Sequence, residues 1–254
     1  MNSLTFLGTG TSQGIPVIGS NHPVCNSINK KDKRLRSSVL YSVNNKNILI
    51  DCGPDFRYQM LSNNINHIDS ILFTHEHNDH VLGLDDIRPI VFRSKKNMPI
   101  YANGRVLNEL KKRFPYIYEP IKYFGIPSVD EHEIINEFLI DEIKIEPINI
   151  MHGRLPILGF KIFNTAYITD ASYIADEEKS KIKNLDILII NSLRKEPEHF
   201  SHFTLNQTLE VIKELAPKKA YITHISHQLG FHDEVQNELP ENVFLSYDGL
   251  TLNF

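Results

Sequence analysis

Three apolar runs, far apart in the chain, end the same way: Phe73-Thr74-His75, Ile168-Thr169-Asp170 and Ile222-Thr223-His224. Short apolar runs rich in β-branched residues read as strands, so each would deliver a potential metal ligand just past a rigid strand end. Because the runs span positions 75 to 224, a site drawing on all three needs the whole chain folded around it. This predicts a single domain over residues 1–254. The densest stretch, His75-Glu76-His77-Asn78-Asp79-His80, places three imidazoles and two carboxylates within six residues. Residues i and i+2 of an extended segment point the same way, so His75 and His77 can share one ion while the following turn aims Asp79 and His80 at a second.

With 254 residues, 41% of them hydrophobic, the chain can bury a sizeable core. Against 27 Lys and Arg stand 31 Asp and Glu, a formal charge of −4 that gives no general attraction to nucleic acid or to an anionic membrane. Neither is expected as a partner. The densest basic run, Lys30-Lys31-Asp32-Lys33-Arg34-Leu35-Arg36, is read as a solvated loop and a minor candidate for steering phosphate. No apolar stretch approaches the roughly 18 residues of a membrane span, and the first residues lack a secretory pattern, so a cytoplasmic protein is expected. Cys25 and Cys52 fit a reducing compartment. The oligomeric state is not written in the sequence; a homodimer is compatible with it.

Strands are expected at 3–8, 37–43, 47–52, 70–74, 98–102, 142–150, 158–163, 166–170, 186–191, 219–225 and 243–247, and helices over 54–63, 104–113, 174–183 and 204–216. Strands dominate with helices between them, an α/β pattern.

The motif at 75–80, with later ligand candidates at strand ends, resembles the metallo-β-lactamase superfamily over nearly the full length. The resemblance implies a four-layer αβ/βα sandwich and a dinuclear centre of Zn(II) or Mn(II). In that pattern His75, His77 and His152 hold one ion, Asp79, His80 and His224 the other, and Asp170 bridges both. Asp51, at the end of Ile48-Leu49-Ile50, matches the aspartate that fixes a ligand histidine through its other ring nitrogen. Two cations bridging a water can generate hydroxide at neutral pH and neutralise charge on phosphate.

Several reactions share this scaffold. Asp170 stands where the β-lactam-cleaving members with the fullest zinc sets carry cysteine, which argues against β-lactams. The opening Phe6-Leu7-Gly8-Thr9-Gly10-Thr11-Ser12-Gln13-Gly14-Ile15-Pro16 resembles the phosphodiesterase branch, which includes RNase Z and the PhnP-like cyclic phosphodiesterases. RNase Z inserts a tRNA-gripping arm between the ligands matching His152 and Asp170, and here only 17 residues lie between them. The PhnP-like group is the closer match through Gly153, Gly159-Phe160, Ser201-His202-Phe203 and Thr223-His224-Ile225-Ser226-His227, and His202 aligns with its proposed general acid. That group also carries a structural zinc. The corresponding ligands here are His22, Cys25 and His227, with Ser20 where the pattern has its first cysteine, so a third ion would be held by three donors only.

The expected function is hydrolysis of a small phosphodiester, linear or cyclic, with Asp79 orienting or deprotonating the nucleophile and His202 protonating the leaving oxygen. The rivals are a thioester or lactone hydrolase, a nuclease such as RNase Z, and a non-catalytic metal-binding protein. Arg88, Arg154 and Arg194 are the nearest guanidinium candidates for phosphate.

Overall fold

The computed structural model describes residues 2–119 and 125–254. Contacts divide the chain into two compact units: Met1–Leu7 with Ser38–Ile135 and Gly249–Phe254, and Gly8–Ser37 with Asn136–Asp248. Each is built on its own sheet.

Among the described residues the first unit carries seven strands in the order Thr251–Asn253, Ser3–Gly8, Ser38–Val43, Lys46–Ile50, Ser70–Leu72, Met98–Ala102 and Val129–Glu133. The last four run parallel, with Ile50 opposite Leu72 and Leu72 opposite Tyr101. Parallel strands end at a common edge, so whatever follows Ile50 and Leu72 is delivered to the same place. Leu49, Ile71 and Ile100 pack with Phe56 and Met60 of the helix Phe56–Ser62 and with Val106 and Leu110 of the helix Gly104–Arg113. The latter helix matches its expected span. The Asn103 side chain caps it by accepting the Val106 N–H at 3.0 Å, and Lys111, Lys112 and Arg113 complement the negative end of its dipole.

Two glycines fix the chain beyond the strand edge. A Cβ on Gly53 would lie 2.0 Å from the Asp79 carbonyl oxygen, and one on Gly83 would lie 2.0 Å from that of Gly53. Two backbone bonds of 2.8 Å, Cys52 N to His80 O and Gly83 N to Cys52 O, lock the two segments together. Gly53→Ala is therefore expected to lower unfolding stability by at least the ~1–3 kcal/mol typical of overpacking. A urea midpoint within error of wild type would show that the segments are free to separate.

The second unit carries eight strands. Seven follow the order Tyr173–Ile174, Ile143–His152, Leu155–Ile162, Thr165–Ile168, Ile187–Asn191, Lys219–Thr223 and Val243–Leu245, and Phe138–Ile140 pairs with Ile143–His152. The strands from Thr165 onward are parallel, with Ile168 opposite Ile190 and Asn191 opposite Thr223. Ile148, Ile168, Ile190 and Ile222 form the core with Leu205, Ile212 and Leu215 of the helix Leu205–Leu215. A capping box opens that helix: the Gln207 side chain accepts the Thr204 N–H at 2.9 Å.

A polar network is buried in this unit. Arg34 donates to Thr9 Oγ1 and to the Ser246 carbonyl at 2.8 and 2.6 Å and lies 3.1 Å from His232 Nδ1. Asp248 accepts from Thr9 and from the Leu35 N–H, both at 2.7 Å. Burial, reinforced by Arg34, pushes the His232 pKa down to about 4. Unfolded His232 therefore binds a proton that the folded form refuses, and its contribution to stability is lost as pH falls from 6.5 towards 4. Asp248, raised by burial to about 6, acts in the opposite sense, so wild type alone conceals both. Compared with His232→Gln, wild type is expected to lose about 2 kcal/mol of its stability difference between pH 6.5 and 4.5. Parallel stability curves for the two proteins would contradict this.

Four strands and several helices lie outside the expected set. Val129–Glu133 reads Val-Asp-Glu-His-Glu, a largely exposed edge strand with no apolar alternation to announce it. Phe138–Ile140, Tyr173–Ile174 and Thr251–Asn253 are two or three residues long, too short for a period. The helix Arg88–Ser94 carries Ile90-Val91-Phe92 in immediate succession, which hides its helical spacing, and the helix His232–Glu238 has Val235 as its only aliphatic residue. Among the described residues no helix is long and apolar enough to cross a membrane.

Candidate functional site

In the first unit, the strands ending at Ile50 and Leu72 deliver Asp51 and the segment Phe73-Thr74-His75. Asp51 adopts a left-handed φ of 63°, uncommon outside glycine, and so turns its side chain sharply off the strand end. Its carboxylate accepts from Thr74 N at 2.9 Å, from Thr74 Oγ1 at 2.9 and 3.1 Å, and from His80 Nδ1 at 2.6 Å. Burial pushes the Asp51 carboxyl above its ordinary range, opposed by His80 and by the bonds from Thr74.

These bonds fix the tautomers of two predicted ligands. His80 donates through Nδ1, which leaves an electron pair on Nε2, and Nε2 lies 3.1 Å from Asp79 Oδ2. Thr74 gives its hydroxyl proton to Asp51 and so accepts from His75 Nδ1 at 2.9 Å, leaving His75 Nε2 as the electron-pair donor, 3.0 Å from His77 Nδ1. Imidazole nitrogens and a carboxylate oxygen thus come within about 3 Å of one another, a donor set whose chemistry fits a divalent metal. His75 and His80 are buried and His77 is exposed.

In the second unit, Asp170 and His224 follow parallel strand ends with left-handed φ angles of 58° and 53°, as Asp51 does in the first. His152, the last residue of its strand, has Nδ1 at 2.8 Å from two carbonyls, those of Asp170 and Ser201. A carbonyl can only accept, so the proton sits on Nδ1 and the electron pair on Nε2. Thr169 Oγ1 donates to Asp170 Oδ2 at 2.6 Å and accepts from His224 Nδ1 at 3.3 Å, which leaves His224 Nε2 as donor to a cation. That atom lies 3.2 Å from Asp170 Oδ1 and 3.1 Å from Thr11 Oγ1. His202 Nε2 lies 3.1 Å from the same Asp170 oxygen, and donor atoms of His152, Asp170 and His202 all fall within 4.8 Å of one another.

Thr74 and Thr169 thus orient ligands, whereas the buried Thr223 hydroxyl has no hydrogen-bond partner among the described residues. His22 and His227 meet edge to face with ring centroids 4.9 Å apart, and Cys25 is buried as a free thiol beside Ile15 and Val24. These three do not form one of the compact donor groups found among the described residues. Ser20 Oγ accepts the His22 N–H at 3.2 Å. Arg88 is paired with Asp85 at 2.6 Å, and Arg194 donates to the Pro197 carbonyl and the Gln228 side chain at 2.9 and 3.0 Å, while Arg154 is exposed.

Two features of this cluster were not anticipated from sequence. The Ser201 carbonyl holds His152, and His199 places Nδ1 3.0 Å from His202 Nδ1. The spacing His199-Phe200-Ser201-His202 was the available signal, but a loop pair of histidines is uninformative until its neighbours are known. Burial lowers the His199 pKa, with His202 and Arg194 adding to the effect.

Comparison with known proteins supplies the context. The sequence model of the Beta-lactamase superfamily domain matches residues 46–225. Over 248 residues, 96% of this chain, the sequence is 41% identical to an octanoyltransferase of Porphyromonas gingivalis, of which the match covers 50%. The chain thus spans half the length of that relative. A ribonuclease Z of Borrelia garinii is 25% identical over 86% of the chain and 91% of its own length. Among solved structures, a new diphosphatase from the PhnP family superposes with a TM-score of 0.93 at 39% identity, covering 100% of this chain and 98% of the other. The αβ/βα fold class expected from the sequence is the one these matches show. The chain belongs to the metallo-β-lactamase superfamily and, within it, to the PhnP-like branch.

Proposed function

We propose that this protein is a metal-dependent hydrolase of small phosphodiesters, linear or cyclic. The observation that carries the reading is Asp170 Oδ1 within 3.1–3.2 Å of Nε2 of both His202 and His224, with Thr169 and two backbone carbonyls fixing the tautomers of His224 and His152. Following the family's ligand order, His75, His77, Asp79, His80, His152, Asp170 and His224 hold two divalent ions, zinc or manganese. When bound, these supply an activated water and offset charge on the phosphoryl oxygens. Asp79 orients the attacking water or takes its proton. His202, beside the carboxylate but outside the assigned ligands, protonates the oxygen that leaves.

The solved PhnP-family relative is a diphosphatase, so a phosphoric anhydride belongs to the same substrate class: attack is again on phosphorus, and the leaving group is again an oxygen. A second reading, hydrolysis of an acyl thioester, is favoured by the octanoyltransferase relative. Metal-loaded protein is tested against cyclic and linear alkyl phosphodiesters, a diphosphate diester and octanoyl thioesters. Turnover of the phosphorus substrates at least 10-fold above the thioesters is expected, and the reverse order would replace the first reading by the second.

A further inference from the structure

His202 can serve as a proton donor only if one particular ring nitrogen faces the reaction, and the ring by itself does not choose. An imidazole has two nitrogens, and a flip or a change of tautomer exchanges the one that carries the proton. What faces each nitrogen decides. Nε2 lies 3.1 Å from Asp170 Oδ1, and Nδ1 lies 3.0 Å from His199 Nδ1 and 3.1 Å from Ser201 Oγ. The Ser201 backbone N–H points at His199 Nδ1 from 3.3 Å, which makes that nitrogen an acceptor. An acceptor opposite His202 Nδ1 calls for an N–H there, as Asp170 Oδ1 calls for one on Nε2 in the protonated ring, the form that can donate.

We infer that His199 is the positioning residue for His202: it accepts the His202 Nδ1–H, so that Nε2 is the nitrogen held beside Asp170. This deepens, and rests on, the reading of His202 as the proton donor to the leaving oxygen. His199 does not touch the reacting atoms; it acts through His202. Its own placement is secured from two sides. Arg194 Nε holds the Pro197 carbonyl at 2.9 Å, tethering the loop that leads to His199, and the Ser201 carbonyl on the other side is anchored by His152 at 2.8 Å. The His199 and His202 rings lie 4.9 Å apart with planes inclined by 52°, an arrangement in which the nitrogens rather than the ring faces meet. An orienting partner on the nitrogen remote from the reaction is the standard device for holding a catalytic imidazole in one tautomer.

The test pairs a spectroscopic with a kinetic readout on His199→Ala and His199→Asn, since the carboxamide oxygen of asparagine can take the place of Nδ1 as acceptor. In ¹⁵N spectra of the imidazoles, neutral His202 is expected as the Nδ1–H form in wild type and in His199→Asn, and as a mixture of tautomers in His199→Ala. The kcat for an alkyl phosphodiester should fall roughly five- to tenfold in His199→Ala with KM within twofold, the scale of one neutral hydrogen bond, and recover in His199→Asn. Hydrolysis of a nitrophenyl ester should be unchanged in both. An unshifted His202 tautomer in His199→Ala overturns the inference. If wild type hydrolyses no phosphodiester, the substrate reading fails while the spectra still decide the role of His199.

Discussion

Replacing His202 with alanine slows hydrolysis of an alkyl or sugar phosphodiester by about 10²–10⁴-fold, the usual range for loss of a general acid, and leaves a nitrophenyl ester almost untouched. The asymmetry follows from the leaving group. An alkoxide is strongly basic and departs slowly unless protonated as the P–O bond breaks, whereas nitrophenolate is stable as an anion and needs no proton. His202 is placed for that donation, with Nε2 at 3.1 Å from Asp170 Oδ1 and a side chain partly open to solvent. Metal content should be unchanged, since His202 is outside the assigned ligands. Equal slowing of both esters with metal retained would move His202 to substrate binding or to the nucleophile. Loss of metal with both activities would make it a ligand, which the compact grouping of His152, Asp170 and His202 allows as a distinct outcome.

The larger effect is expected at Asp170. Its Oδ1 contacts Nε2 of both His202 and His224, and its Oδ2 accepts from Thr169 at 2.6 Å, so one carboxylate ties these three side chains together. Asp170→Ala removes a negative charge from between two imidazoles and takes away the ligand assigned to both ions. Bound metal should fall to one equivalent or less after dialysis, and turnover by more than about 10³-fold, because metal stabilisation of transition-state charge is worth several kcal/mol. Asp170→Asn keeps the shape and loses the charge, and it should fail nearly as badly. A variant that keeps two ions and full turnover would remove Asp170 from the centre. Near-ultraviolet circular dichroism of each variant separates loss of metal from loss of fold.

Much of this candidate cluster is legible in the sequence. His75, His77, Asp79 and His80 announce themselves by density, and Asp170 and His224 by the repeated threonine before a ligand at a strand end. The repetition has a physical cause at two of its three occurrences: Thr74 and Thr169 use their hydroxyls to set ligand tautomers, whereas Thr223 does not. The sequence reading gives Asp51 an orienting role, and its carboxylate lies 2.6 Å from His80 Nδ1. What stayed hidden depends on backbone. The left-handed turns at Asp51, Asp170 and His224 are not legible in composition, since aspartate and histidine enter that region only in a minority of their positions. The Ser201 carbonyl that holds His152 has no side-chain signature at all. His199 needed its neighbours to be seen. Arg88 and Arg194 were attractive by adjacency, yet both spend their guanidinium donors on protein partners.

The most direct measurement strips the protein with a chelator, removes the chelator, and follows turnover of an alkyl phosphodiester as zinc or manganese is added back in known amounts. Turnover is expected to be at background in the stripped protein and to rise with added metal until about two tightly held equivalents per chain are bound. Full activity in the stripped protein, or saturation with fewer than two ions, would contradict the dinuclear hydrolase proposed for this chain.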